Sequence, residues 1–357
     1  MLNSQNGEWI CSLKEKVALF IKKMKNEKKG HYKYSLNGDT LPKNLHWGLG
    51  NSVFALKIIY TLNLEERFSK ETELIIDYIM TFQKKDGYFY DPYVRFLSMP
   101  ARILGAVKHK DLKILSYKKT KRAETRQSIS ALNLFNKKPK YNFSDFPEEK
   151  KSIKEYIDGL DWKRPWHAGA NFSHLLFFIS NSNLKDKDEL IKYSLEIIER
   201  LRKKDGFWYQ GEPTVQQKIN GAMKIITGMN AARKIDIKNP FKLIDLCLSV
   251  KNDKHACDNF NIVYVLKYAN ESTKSQYRYD EIVQFMNERI KTYKEYYHED
   301  EGGFSFTKHR ANISYYGAIL SRGKNVPDIH GTILFLWGLS IISQVLKTDT
   351  GLKEHMT

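Results

Sequence analysis

The 357-residue sequence predicts an all-α protein, an (α/α)6 toroid of outer and inner helices around a central cavity. Three observations predict it. Apolar residues recur almost everywhere at helical spacing, and strand-like alternation is scarce. Two kinds of helix alternate along the chain. A glycine-centred turn recurs at the ends of the outer helices.

The elements follow in order. Cys11–Lys25 supplies the first outer helix, and the apolar Gly48–Tyr60 the first inner one. Thr72–Phe82 is outer, with its apolar positions on one stripe and Lys, Glu and Asp on the rest. Thr125–Phe135 is the second inner helix and His167–Ser180 the third. Lys187–Leu201, Phe241–Val250 and Tyr279–Tyr293 are outer helices of the same amphipathic kind. Between and after them lie the inner helices Val215–Met229, Cys257–Tyr268 and Ile329–Val345. A helix apolar on most sides is buried, which sets the inner set apart. The inner starts near 125, 167, 215 and 257 keep a hairpin-repeat spacing, whereas 91–122 and 298–326 read as loop insertions over the cavity. No Pro/Gly/Ser-rich linker interrupts the pattern, so the expectation is a single domain.

The outer helices end in FQKKDGYFYD (Phe82–Asp91), LRKKDGFWYQ (Leu201–Gln210) and HEDEGGFSFT (His298–Thr307). Each has an acid, a glycine suited to positive φ, and aromatics to clamp the next hairpin. In these motifs the chain resembles the terpenoid cyclase and protein prenyltransferase superfamily. The carriers are Gln83 with Gly87-Tyr88-Phe89, Arg202 with Gly206-Phe207-Trp208, and the run Asp328-Ile329-His330-Gly331-Thr332. The resemblance implies the toroid fold. It implies no particular reaction, because the zinc set, the Asp-x-Asp-Asp acid motif and the magnesium-diphosphate motif of that superfamily are missing from the sequence.

Composition excludes several classes. Aromatic residues make up 13% of the chain, far more than disorder allows. No apolar run approaches the roughly 18–20 residues that span a bilayer, and the N-terminal stretch lacks a signal-peptide pattern. Three unpaired cysteines suit a reducing cytoplasm, and no metal or cofactor motif is present, including phosphate-cradling glycine loops. The net charge of +18 rests mainly on lysine in short, dispersed runs, so no nucleic-acid partner is expected. Peripheral membrane contact and oligomeric state are left open.

Polar stripes on the inner helices mark the candidate lumen. His167, Asn171, His174, Phe178 and Asn181 share one face of the third inner helix. Gln217, Asn220, Lys224 and Thr227 share one on the fourth, beside Lys218. Arg126 faces in from the second inner helix, Asp258 from the fifth, and Asp328 with His330 from the sixth. Buried polar groups without partners cost about 1–3 kcal/mol each, so a liquid- or ligand-filled space explains the stripes together. The candidate proton movers are His174, His330, His167, Tyr315, Tyr316 and Asp258. The candidate binding residues are Asn171, Lys224, Arg126, Asn220, Gln217, Lys218, Trp166, Trp208, Glu212 and Asp328. The tryptophans stand for an aromatic rim on which sugar rings stack.

Cations and amides to hold a carboxylate, with His or Tyr to move a proton beside it, point to an anionic sugar or oligosaccharide. The reaction expected is lyase- or epimerase-like, in surface polysaccharide biosynthesis. An isoprenoid-diphosphate enzyme and a non-catalytic glycan- or protein-binding toroid are the alternatives.

Overall fold

A computed structural model describes residues 4–355. The protein is predominantly helical. In chain order the helices are α1 (Ser4–Met24), α2 (Leu49–Thr61), α3 (Ser69–Met80), α4 (Pro92–Leu97), α5 (Met99–His109), α6 (Lys118–Leu134) and α7 (Lys150–Asp158). They continue with α8 (Pro165–Ser180), α9 (Lys187–Glu199), α10 (Val215–Ala231), α11 (Pro240–Leu248), α12 (Ala256–Ser272), α13 (Tyr279–Lys294) and α14 (Ile329–Val345). Two short hairpins, β1 (Tyr297–His298) with β2 (Gly303–Phe304) and β3 (Ser314–Tyr315) with β4 (Ala318–Ile319), lie before α14.

The inner helices sit where the apolar pattern put them, and they are buried nearly all round. Several stretches differ from expectation; α1, for one, starts at Ser4, seven residues before the expected Cys11. The 91–122 stretch is not a plain loop: it holds α4, α5 and a 3-10 turn, Leu112–Leu115. Helix α6 starts at Lys118, seven residues before the expected Thr125, because its charged opening KKTKRAE hides the helical stripe. The short α7 was not read from the sequence.

Contacts group the chain into two compact units. Unit 1 takes in the chain up to Asn142, His255–Cys257 and Ile290–His355. Its centre is α2, packed against α3, α6 and α14. Asp328 caps α14 by accepting the Gly331 N–H at 2.8 Å. Asp91 caps α4 through the Tyr93 and Val94 N–H groups. Its other carboxylate oxygen accepts the Gly48 N–H at 2.6 Å, so one buried acid ties the 91–122 segment to the start of α2.

Unit 2 takes in Phe143–Lys254 and Asp258–Arg289. Its tightest pairing is α8 on α10. A Cβ at Gly169 would lie 2.9 Å from the Gly221 carbonyl, and one at Gly221 equally close to Pro165, so the two backbones meet only because neither residue has a side chain.

The recurring turns have one geometry. Gly87 and Gly206 take φ of 82° and 85°, and short bridges pair Gln83 with Phe89 and Arg202 with Trp208. In unit 1, Gln83 Nε2 donates to the Tyr141 carbonyl at 2.7 Å, and Oε1 accepts the Lys140 N–H at 2.7 Å. In unit 2, Arg202 donates to the Gly206 carbonyl at 2.9 Å and the Lys238 carbonyl at 2.6 Å. Each side chain staples its own turn to the segment after the next inner helix. A further copy was not read from the sequence: Lys25 bridges Tyr32 around Gly30, whose φ is 76°.

Candidate functional site

The candidate residues fall into two groups, one inside each unit. In unit 1 the site grows from the β3–β4 hairpin. Tyr315 pairs with Ala318, and the two linking residues, Tyr316 and Gly317, both have positive φ (48° and 83°). That is the mirror-image turn a tight hairpin needs, but its first position belongs to Asn, Asp or Gly. An aromatic residue there is strained, and such strain persists at positions held for function.

Tyr315 is buried against α2, where Gly50 makes room: a Cβ there would lie 2.7 Å from the Tyr315 ring. The Tyr315 and Tyr316 rings are 4.2 Å apart. Burial pushes the Tyr316 phenol up to about 12, with the Glu124 charge adding to the rise and the Arg126 charge opposing it. Burial also holds the Tyr315 hydroxyl well above the phenol range. Both phenols are therefore held in their protonated form, Tyr316 less strongly than Tyr315.

His330 stands beside this pair in the first turn of α14. Its ring stacks on Phe54 at 4.8 Å, lies 5.0 Å from Phe306, and meets Tyr315 edge-on at 5.9 Å. The Asn312 amide nitrogen is 3.1 Å from His330 Nδ1 and donates to the Tyr34 hydroxyl at 2.7 Å. Tyr34 in turn donates to the Ser314 carbonyl at 3.3 Å. An amide nitrogen only donates, so Nδ1 accepts and the proton sits on Nε2 of a neutral ring. The result is a half-exposed imidazole with a fixed tautomer.

Two unit 1 acids are engaged by the fold. Asp328 is fully buried; one oxygen accepts the Gly331 N–H, the other those of Phe306 and Asn312, and burial raises its carboxyl to about 7. It positions the Asn312 loop and has no open face for substrate. Glu124, not singled out from the sequence, accepts from the Tyr117 hydroxyl at 2.8 Å and the Asp91 N–H at 3.3 Å. Burial, then the Asp91 charge, holds its carboxyl well above the usual range.

In unit 2, α8 presents one open face on a buried helix: His167 and Asn181 are exposed, and Asn171 and His174 are half-buried. Asn171 and Asn181 each donate one turn back, to the carbonyls of His167 and Phe177. On α10, Gln217 and Lys224 are half-buried, and the Lys224 Cβ lies close to Gly169 of α8. Asn220 is fully buried and donates to Asp258 at 2.8 Å, while Gln216 donates to its other oxygen at 2.5 Å. Asp258 is therefore a buried, doubly bonded carboxylate rather than a proton mover facing a cavity. Lys218 is held by Asp205 at 2.8 Å and lies 4.5 Å from the centre of the Tyr209 ring.

The expected rim is corrected at Trp208. Its ring is 1% exposed and packs under the Arg202 guanidinium at 4.1 Å, so it belongs to the turn's interior. Trp47, Trp162 and Phe207 are buried too, leaving Trp166 and Tyr209 half-exposed. Glu212 is exposed. A groove of about 900 Å³ on unit 2, bordered by Glu189, Lys192, Glu196 and Arg233, contains no expected site residue. Among the described residues, no group of His, Cys, Asp and Glu side chains gathers to hold a metal ion.

Compared with known proteins, the chain matches no family model, and a search of curated proteins finds no match. Tyr315, Tyr316, His330 and Arg126 were legible as polar or aromatic residues on or beside inner helices. Asn312 and Tyr34, which fix the His330 tautomer, were not. They lie in irregular segments with no periodicity to mark them.

Proposed function

We propose that the protein is a proton-transfer enzyme acting on an anionic sugar or oligosaccharide, of the lyase or epimerase kind, centred on Tyr316. The observation that carries it is the strained placement of Tyr316. Its ring lies 4.2 Å from that of Tyr315, and its oxygen feels the Arg126 charge. The cation favours a phenolate, the form that abstracts a proton, against the burial that raises the phenol to about 12.

The chemistry follows from the groups. Tyr316 phenolate takes the hydrogen from the sugar carbon next to the carboxylate. The electron pair left behind spreads into the carboxylate, which Arg126 and the Nε2–H of His330 hold. In elimination, the Tyr316 phenol then hands that proton to the departing oxygen on the neighbouring carbon as the double bond forms. In epimerisation, water supplies a proton to the opposite face and Tyr316 later gives its own to solvent. The half-exposed amides and His174 of α8, with Lys224 of α10, form a second polar surface suited to sugar hydroxyls and acids. On this reading the alternating outer and inner helices belong to an α/α toroid of the terpenoid cyclase and prenyltransferase kind, and the product enters surface polysaccharide.

Uronate-containing oligosaccharides and nucleotide uronates are expected to raise the melting temperature and to be turned over. Isoprenoid diphosphates are expected to do neither. Stabilisation by the diphosphates alone would contradict the reading. Because the phenolate must form from a phenol raised to about 12, kcat/KM should climb with pH through the alkaline range. A flat profile above neutral pH would remove Tyr316 as the base.

A further inference from the structure

We propose that the segment from α4 to the start of α6 is a membrane-docking element that seats unit 1 on an anionic lipid surface. Helix α5 is turned the wrong way for a helix facing water. It buries Arg102, whose guanidinium lies 4.2 Å from the Tyr117 ring centre, and exposes Ile103, Leu104 and Val107 at 52%, 70% and 73%. Among the described residues, seven of the thirteen exposed large apolar side chains lie in residues 96–115, including Phe96 at 75% and Leu112 at 79%. Ile319, on the β4 strand that packs against α4, adds another at 58%. Solvent-facing apolar residues normally occur singly, so this concentration marks a binding face.

Charge selects the occupant. Residues 92–123 hold nine Lys and Arg against Asp111 alone, so a net +8 of the chain's +18 sits in this one segment. Lys108, Lys110, Lys118 and Lys119 are all exposed around the apolar face. Aliphatic prongs ringed by lysines, with a lone acid among them, match the interface of a bilayer carrying anionic headgroups. Between α5 and the 3-10 turn lies a groove of about 390 Å³, walled by Ile103, Val107, Leu112 and Leu115 with Lys110 at its edge. That arrangement takes acyl chain against the wall and phosphate at the lysine. No helix among the described residues is long and apolar enough to cross a membrane, so the contact is peripheral. A Cβ at Gly317 would lie 3.4 Å from Ala101 of α5, so the docking helix touches the hairpin that carries Tyr316.

The full chain is tested by flotation with phosphatidylcholine vesicles, with and without phosphatidylglycerol. It should float with the anionic vesicles only. Leu104→Asp/Val107→Asp and, separately, Lys118→Glu/Lys119→Glu should each weaken binding at least about tenfold, the second in line with roughly 1 kcal/mol per lysine. Both sites are exposed, so melting temperatures should hold; if the first pair unfolds, the lysine pair decides. The proposal is overturned if the wild type fails to float, or if both variants float as it does. It is also overturned if duplex DNA displaces the chain from vesicles, or if the apolar face proves to close a dimer that Leu104→Asp/Val107→Asp dissociates.

Discussion

Single buried acids and imidazoles carry the pH behaviour of unit 1. The Asp328 carboxyl, raised to about 7 by burial, prefers its neutral form in the folded state more strongly than in the unfolded chain. Its contribution to stability is whole below about pH 4 and fades as pH rises through about 7. His31 runs the other way. Burial lowers it to about 4, so stability is lost as pH falls from 6.5 through that value. Asp328→Asn cannot ionise. The wild type's advantage in melting temperature over this variant should therefore shrink between about pH 4 and 8, and a constant gap would contradict the assignment. Neither residue's burial was legible beforehand. Asp328 stood out as a polar residue at a helix start, but nothing in the sequence told a backbone-bonded cap from a substrate ligand. His31 sits in the unread turn around Gly30, stacked on Tyr78 at 5.3 Å.

The helices were legible where burial is one-sided or complete, as in α2 and α14, whose apolar runs fix both ends to within a residue or two. They were illegible where charge crowds the first turns, as in α6, or where a helix is short, as in α7. The turn motif was read correctly as a recurrence, but its working part is the residue before the bridge. Gln83 and Arg202 differ in charge yet make the same kind of staple. Arg202→Ala should cost about 1–3 kcal/mol in urea unfolding, since it strips two carbonyls of their donor. Arg202→Gln should recover part of the loss by copying the other turn. A Gln variant no better than Ala would mean that the cation, paired with Glu199 and stacked on Trp208, stabilises the turn rather than the staple.

Across the whole molecule, the net charge of +18 resolves into local roles. Eight units of it lie in the 92–123 segment, which the sequence pattern marked only as an insertion. Side-chain exposure, which periodicity does not record, turns that insertion into a surface. Arg126 is a different case: buried, on α6, and within electrostatic reach of the phenol of Tyr316. The candidate list came from polar residues on inner helices, and the contacts divide it between two units. The central claim concerns the Tyr316 group, and one measurement tests it most directly. A uronate oligosaccharide is incubated with enzyme in heavy water and followed by proton NMR at the carbon next to the carboxylate. The wild type should either exchange that hydrogen for deuterium or convert the residue to its unsaturated form. Tyr316→Phe, folded and melting as the wild type does, should slow either change at least a hundredfold, about the smallest effect of a lost acid–base group. Undiminished reaction in the variant, or none with the wild type across the uronate panel, would contradict the account.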